Sequence, residues 1–343
     1  MDSVTQAVLG AGIQATLLGR WQGRRALVYG ALLATLPDLD VVIAYPDPVS
    51  SMTYHRGFSH SVFVLTALAA VMTWLIRKRW PAAPYTAGRL FITLWLVLVT
   101  HPVLDAFTVY GTQLFWPWAR MPESWSAVFI IDPIYTVPML LAVLAAAIQG
   151  VTPTMRRILA ATLVFSTAYL FAGLAGRFQA EREVTAALQT RGERVTQVLA
   201  TPTPFNILLW RVVAKTEGDT YYEALSSWLD RSPPQLLAQP LNRELGLALG
   251  EDPLLARLRW FTQDWLRYDI LDDTLVVTDL RMGLPGYYTF RFAMGERRGS
   301  DWQAIVPRRW PSERGGWNEL RQLLARIAGK PLPLADWAQR NFE

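Results

Sequence analysis

Apolar residues are distributed very differently in the two halves of the chain. Up to about residue 176, long apolar runs alternate with short polar breaks, and beyond that point the runs shorten and charges enter every segment. A helix needs about 17–25 largely apolar residues to cross a bilayer. Six segments approach that length: Val4–Leu18, Ala26–Tyr45, Ser61–Ile76, Leu90–Tyr110, Ala127–Gln149 and Ile158–Gly176. The first is short and Gly-rich, and an interfacial or re-entrant helix is its alternative reading. In the second half, Arg177–Leu199 reads as a helix leaving the membrane. Thr201–Asn206 contains Pro202 and Pro204, which push their predecessors out of helical geometry, so a turn or extended segment is expected. Tyr268–Val277 and Tyr287–Phe292 read as strands, Asp272-Asp273 as a turn, and Trp317–Ile327 as a helix. The expected architecture is a polytopic α-helical membrane domain of about six spans over residues 1–176, followed by a soluble α+β domain over residues 177–343.

Composition sharpens this division. The chain is 52% hydrophobic and 18% charged, with a mean hydropathy of +0.18, whereas soluble domains average about 25% charged residues. Residues 1–176 hold 11 Lys and Arg against 7 Asp and Glu, and the rest of the chain holds 22 and 21. Most of the net charge of +5 therefore lies in the apolar half. The basic residues there form three groups in alternate loops: Arg20, Arg24 and Arg25; Arg77, Lys78, Arg79 and Arg89; Arg156 and Arg157. The opposite loops, 46–60 and 111–126, carry only Arg56 and Arg120. The positive-inside rule assigns the three groups to the cytoplasm of a bacterial inner membrane, and residues 177–343 to the periplasm. The basicity needs no nucleic-acid partner. The chain's 15 Trp suit interfacial anchoring, Trp116 and Trp118 among them. The absence of cysteine excludes disulfides, thiolate ligands and a Cys nucleophile. The N-terminus lacks a basic lead and carries Gln6 and Gln14, so no cleavable signal is expected.

The chemistry concentrates on three short motifs. The chain has three histidines, His55, His60 and His101, each at the end of an apolar segment on the outer side. An ionisable residue near a span is costly unless partnered, which makes each a functional candidate. His101 and Asp105 are four apart and share one helical face. Asp38 and Asp40 would diverge on a helix, so Pro37 is expected to break it and turn both inward. Gly57 predicts a turn between His55 and His60, with Ser59 as a helix N-cap. Imidazole and carboxylate donors together suit Zn²⁺, and also Mn²⁺ or Fe. One His–Asp pair alone is as readily a polar bridge or a proton relay. Three motifs on one face, using every histidine, favour a metal site. Arg56 is expected either to clamp an anion or to partner a site aspartate. Asp2 is expected to cap a helix rather than ligate. Asp132 has two readings, a cap for a helix starting at Pro133 and a carboxylate orienting a ligand.

Leu36-Pro-Asp-Leu-Asp40, His55-Arg-Gly-Phe-Ser-His60, His101-Pro-Val-Leu-Asp105 and Tyr110-Gly-Thr-Gln-Leu114 together resemble the motif set of the membrane-bound metal-dependent hydrolases, the YdjM-like proteins. The resemblance covers roughly residues 1–175, and Thr201–Trp210 and Asp279–Gly283 resemble the C-terminal region of one long subfamily. Many relatives carry Thr-His near the N-terminus, where this chain has Thr5-Gln6, and Gln6 is a poor metal ligand. The resemblance implies metal-activated hydrolysis, with a distant likeness to zinc-dependent phospholipase C. The expected ligands are His55, His60, His101, Asp105 and Asp38. Asp40 is expected to take the proton and Arg56 to hold the substrate's anionic part. Asp2, Gln6 and Asp132 are expected around the site rather than in it. A lipid or lipid-linked phosphoester is the expected substrate, with a lipid amide or ester next. The rival readings are an ion or proton transporter using the same cluster, and a non-catalytic membrane scaffold.

Overall fold

A computed structural model of the chain describes residues 1–299, 301–313 and 315–339. These residues form two compact units. The first comprises Met1–Ile43 and His55–Ala172, and the second comprises Ala44–Tyr54 and the chain from Gly173 onward.

The first unit is helical. Its elements are α1 (Ser3–Gln22), α2 (Arg25–Ala34), α4 (Val62–Arg79), α5 (Ala87–Ala106), α6 (Pro133–Gln149) and the first part of α7 (Pro153–Gln189), with α3 (Pro48–Tyr54) falling in the second unit. Each start has a local cause. Asp2 accepts from the Val4 and Thr5 amides to cap α1, and Asp132 accepts from Ile134 and Tyr135 to cap α6. The cap of α4 is Ser61, not Ser59, because Ser59 is engaged elsewhere. Small residues allow close helix packing, as is common in membrane bundles. A Cβ placed on Gly10 of α1 would lie 2.4 Å from the Gly30 carbonyl of α2. Ala11, Ala15, Ala26, Ala142 and Ala146 continue this contact with Leu159 of α7.

By length and apolarity, α5 and α7 can each cross a membrane, and Pro48–His60 joined to α4 across its break makes a third candidate. The other expected spans fall short of that test. The expected span Ala26–Tyr45 stops as a helix at Ala34, and Pro37–Val42 forms a 3-10 turn, since Pro37 has no N–H to donate to a helical hydrogen bond. α6 has 17 residues, and in α1 glycines and glutamines dilute the apolar content.

The second unit is rich in β-structure. Four antiparallel strands, β1 (Val195–Pro202), β2 (Leu209–Thr216), β3 (Thr220–Ser227) and β4 (Leu237–Pro240), pair in sequence order. Next in the chain come α8 (Arg243–Leu247) and α9 (Pro253–Thr262). A second sheet has the order β10-β9-β6-β5, from β5 (Leu266–Leu271), β6 (Thr274–Asp279), β9 (Arg291–Arg298) and β10 (Asp301–Arg309). Between β6 and β9 lie the short pair β7 (Gly283–Leu284) and β8 (Tyr287–Tyr288), and α10 (Trp317–Ile327) and α11 (Leu334–Gln339) follow β10. The expected Asp272-Asp273 turn joins β5 to β6, and α10 has the bounds read from the sequence. The helix expected over Arg177–Leu199 ends instead at Gln189, and Val195 onward is strand β1. Gly192, with a φ of +83°, ends the helix before the β-rich stretch, and pairing with β2 recruits Val195–Leu199 into the sheet.

Within this unit α3 packs against α9. Arg257 donates from Nε to the Thr53 hydroxyl at 2.6 Å and from Nη2 to the Thr53 carbonyl at 3.2 Å. Its guanidinium lies 3.5 Å from the Tyr54 ring centroid, and Tyr54 stacks on Tyr45.

Candidate metal centre

Three pieces of backbone bring the motifs together in the first unit. The 3-10 turn after Pro37 carries Asp38 and Asp40, the turn around Phe58–His60 carries His60, and the last turns of α5 carry His101 and Asp105. Asp38, His60, His101 and Asp105 each offer one ligand atom, all within 4.8 Å of one another. His60 Nε2 lies 3.4 Å from Asp38 Oδ1 and 3.3 Å from Asp105 Oδ2. His101 Nε2 lies 3.3 Å and 3.5 Å from the same two oxygens. Tetrahedral ligands at about 2.0–2.2 Å from a zinc ion stand about 3.3–3.6 Å from one another. The four imidazole–carboxylate pairs already have that spacing, and all four donors lie within 4.8 Å of one another.

The hydrogen bonds around them set the tautomers. His101 Nδ1 contacts the Ala34 carbonyl at 2.6 Å, which can only accept, so Nδ1 carries the proton. Ser59 donates its hydroxyl to Asp40 Oδ2 at 2.9 Å, and its oxygen lies 2.9 Å from His60 Nδ1. The single hydroxyl proton goes to the carboxylate, so His60 Nδ1 donates to Ser59. With Nδ1 protonated, each imidazole in its neutral form turns a lone pair inward from Nε2. Ligating histidines are commonly fixed in this way by a partner on the second ring nitrogen. His60 Nε2, His101 Nε2 and Asp105 Oδ2 are buried and lack hydrogen-bond partners. Acceptors facing acceptors in a buried site repel unless a cation lies among them. Two nitrogen and two oxygen donors fit Zn²⁺, with Mn²⁺ and Fe²⁺ compatible.

The other oxygen of Asp105 is held from three sides. It accepts from Gln6 Nε2 at 3.2 Å, pairs with Arg56 Nη2 at 3.3 Å and contacts the Met1 amine. Gln6 also donates to the His101 carbonyl at 3.2 Å, so it braces two members of the group without ligating. Arg56 is thus the partner of a site aspartate rather than a free anion clamp. It is buried, reaches Thr108 Oγ1 at 3.4 Å, and stacks on Tyr110 at 4.8 Å. Its φ of +60° is rare outside glycine. The bonds from Arg56 N to Asp40 Oδ2 and from Gln113 N to the Arg56 carbonyl maintain that conformation.

His55 does not join the central four. Its Nδ1 lies 3.0 Å from Asp40 Oδ1, and with Asp38 and Asp40 it forms a second, more open group of possible ligands that shares Asp38. Its position is set by Asp40, whose oxygens also hold Ser59 and the Arg56 amide. Burial alone would raise the Asp40 carboxyl, but the hydrogen bond from His55 and the nearby imidazoles outweigh it and keep it below the usual carboxylate range. An ionised carboxylate engaged this fully is a poor proton acceptor. Asp2 and Asp132 are helix caps away from the group, and Asp132 also accepts from the Tyr169 hydroxyl at 2.9 Å. Sequence reasoning missed the Ala34 carbonyl, which leaves no side-chain signal, and the linking role of Ser59, whose place beside His60 was a usable clue.

Comparison with known proteins adds the family. The model described as YdjM inner membrane protein matches residues 1–180. The chain belongs to this family. The match contains every residue of the candidate metal centre and ends within α7, before the first strand begins at Val195. The chain is 27% identical over 152 residues to the uncharacterized protein YfhP of Bacillus subtilis (strain 168), covering 42% of this chain and 45% of that protein. It is 34% identical over 108 residues to the inner membrane protein YbcI of Escherichia coli (strain K12), covering 30% of this chain and 58% of that protein. The chain spans about half the length of the curated relatives it matches. No solved structure matches it.

Proposed function

We propose that this inner membrane protein is a divalent-metal-dependent hydrolase acting on a lipid or lipid-linked phosphoester, with its centre and its C-terminal domain on the periplasmic side of a bundle of about six spans. The observation that carries this reading is the convergence of buried, unpartnered acceptors from His60, His101 and Asp105, with Asp38 completing the set. Asp38, His60, His101 and Asp105 would hold the ion, and a bound divalent ion supplies Lewis-acid activation of water and of the bond to be cleaved. Ser59, Ala34, Gln6 and Arg56 keep the four donors oriented, as their hydrogen bonds and ion pair describe.

The proton-accepting role moves from Asp40 to His55. Asp40 holds His55 by Nδ1, which leaves Nε2 to take a proton, and the His55 side chain is 25% exposed beside the group. The Asp40 carboxylate orients the base, a common device in general-base catalysis.

Elemental analysis of the protein, purified without chelators, is expected to find about one divalent ion per chain, since one four-donor set is present. The His55→Ala variant is expected to keep that ion and lose about 10²–10⁴-fold in headgroup release from phospholipid vesicles. A metal-free wild type would overturn the reading, and proton flux in metal-free proteoliposomes would favour transport instead.

A further inference from the structure

The loops that build the centre also carry exposed apolar side chains. Beyond Asp38 the 3-10 turn presents Leu39, Val41 and Val42 outward, with Val42 at 79% exposure. Phe58, between His55 and His60, is exposed, and its ring meets the exposed Trp116 edge-on at 6.3 Å. Trp118 is 62% exposed and packs on Phe63 at the start of α4 at 4.9 Å. These loops are firmly tied. Asp40 bonds the Arg56 amide and Ser59, Ser61 donates to the Trp116 carbonyl at 2.6 Å, and Val62 N donates to the Leu114 carbonyl at 3.0 Å. The apolar side chains are therefore held outward, and loop mobility does not account for their exposure.

Two further facts define what covers them. First, the apolar surface continues from Trp118 onto Phe63 of α4, whose exposed residues Phe63, Val71, Trp74 and Leu75 belong to a candidate span. Second, irregular backbone cannot lie in hydrocarbon, because its amides would go unpaired. Turns with outward Trp, Phe and Val therefore belong at the boundary between headgroups and acyl chains, where aromatic anchors gather. The most exposed of the four donor side chains also lies on the 3-10 turn. The side chains of His60, His101 and Asp105 are at most 1% exposed, whereas Asp38, on the turn that carries Leu39 and Val42, is 26% exposed.

We infer that Leu39, Val41, Val42, Phe58, Trp116 and Trp118 form a collar seated in the bilayer leaflet beside the centre. The substrate is a membrane lipid that enters sideways past Asp38, its acyl chains staying among the collar residues and its polar linkage reaching the four donors. The entry route rests on the hydrolase reading above, and the seating of the collar does not.

The chain has no cysteine, so single cysteines can be spin-labelled without background. Leu39→Cys and Val42→Cys would be labelled in nanodiscs of phosphatidylethanolamine and phosphatidylglycerol. Val164→Cys on α7, 70% exposed in the wild type, serves as the lipid reference. Arg194→Cys, whose wild-type side chain is 80% exposed in the β-rich unit, serves as the water reference. Labels at 39 and 42 are expected to show collision ratios, oxygen to a water-soluble paramagnetic chelate, several-fold above that of the label at 194, approaching that of the label at 164 as far as their boundary depth allows. Collision ratios matching the label at 194 would overturn the collar. Metal content is measured on the same samples. A seated collar without metal would sink the hydrolase reading alone, and bound metal with a water-exposed collar would sink this inference alone. For the entry route, Val42→Lys is expected to slow hydrolysis of a vesicle-held phospholipid several-fold while sparing its short-chain soluble analogue. Equal loss on both substrates would overturn sideways entry.

Discussion

Both units bury charge, and they do so in opposite ways. In the β-rich unit, Arg211 is fully buried, pairs with Glu223 at 2.9 Å and donates to the Leu280 carbonyl at 2.7 Å. The other Glu223 oxygen accepts from Tyr288, and the Tyr288 and Tyr221 hydroxyls lie 3.2 Å apart. Arg267 reaches Tyr221 at 3.4 Å and pairs with Asp269 at 2.9 Å, while Arg281 pairs with Asp279 at 2.8 Å. Each of these three arginines has a carboxylate partner within the fold. In the helical unit, two carboxylates and two imidazole lone pairs face one another, and the nearby cationic groups of Arg56 and Met1 lie on the far oxygen of Asp105. Burial of charge alone is therefore a poor guide to function. The informative feature is a set of like donors that the protein itself leaves unbalanced. Among the described residues, both groups able to hold an ion lie in the helical unit, between positions 38 and 105.

Four variants test this contrast, from the largest effect to the smallest. His101→Ala and Asp105→Ala are each expected to remove essentially all bound metal by elemental analysis, while membrane insertion is retained. Full metal occupancy in either would break the contrast. Glu223→Ala should do the reverse, leaving metal content intact. It strands Arg211 in the interior, and breaking such a buried pair costs about 3–5 kcal/mol, which urea denaturation of the full chain in detergent would read. Ser59→Ala removes the link between Asp40 and His60 but no donor atom. Chelator competition is expected to show metal affinity about 10–100-fold weaker, the usual effect of losing such a partner.

The smallest effect is a pH slope confined to the β-rich unit. Lys215 lies over the Trp265 ring at 4.7 Å and donates to the Asp264 carbonyl, and burial pulls its pKa from 10.5 to about 8. Between those values the unfolded chain binds more protons than the folded one, so this group's contribution makes stability rise with pH across that window. Lys215→Met is expected to flatten the slope in the same denaturation measurement. An unchanged slope would mean that Lys215 titrates normally in the folded chain.

How much was legible depended on whether local pattern or partner choice decided the outcome. The long apolar runs located α5 and α7, and the Pro37 break was readable because proline acts on its own backbone. The caps at Asp2 and Asp132 were readable for the same reason. Strand β2 was not. Leu209–Thr216 is buried along its whole length and includes Arg211 and Lys215, so the usual alternation of polar and apolar positions is absent. Neighbouring strands and the Glu223 carboxylate make that segment a strand. The same limit applied to His55. In sequence it looks like a third ligand beside His60, and only the bond to Asp40 separates the two.

The order of residues alone set the division into an apolar helical half and a polar half, and the short list of groups that could bind an ion. Both follow from residue chemistry and from periodicity along the chain. Tertiary structure decided which four of those groups meet, which ring nitrogen each histidine turns inward, and that Arg56 and Gln6 brace Asp105. Those outcomes depend on distances between residues up to about a hundred positions apart, from Gln6 to Asp105. A pattern along the chain carries no measure of such distances.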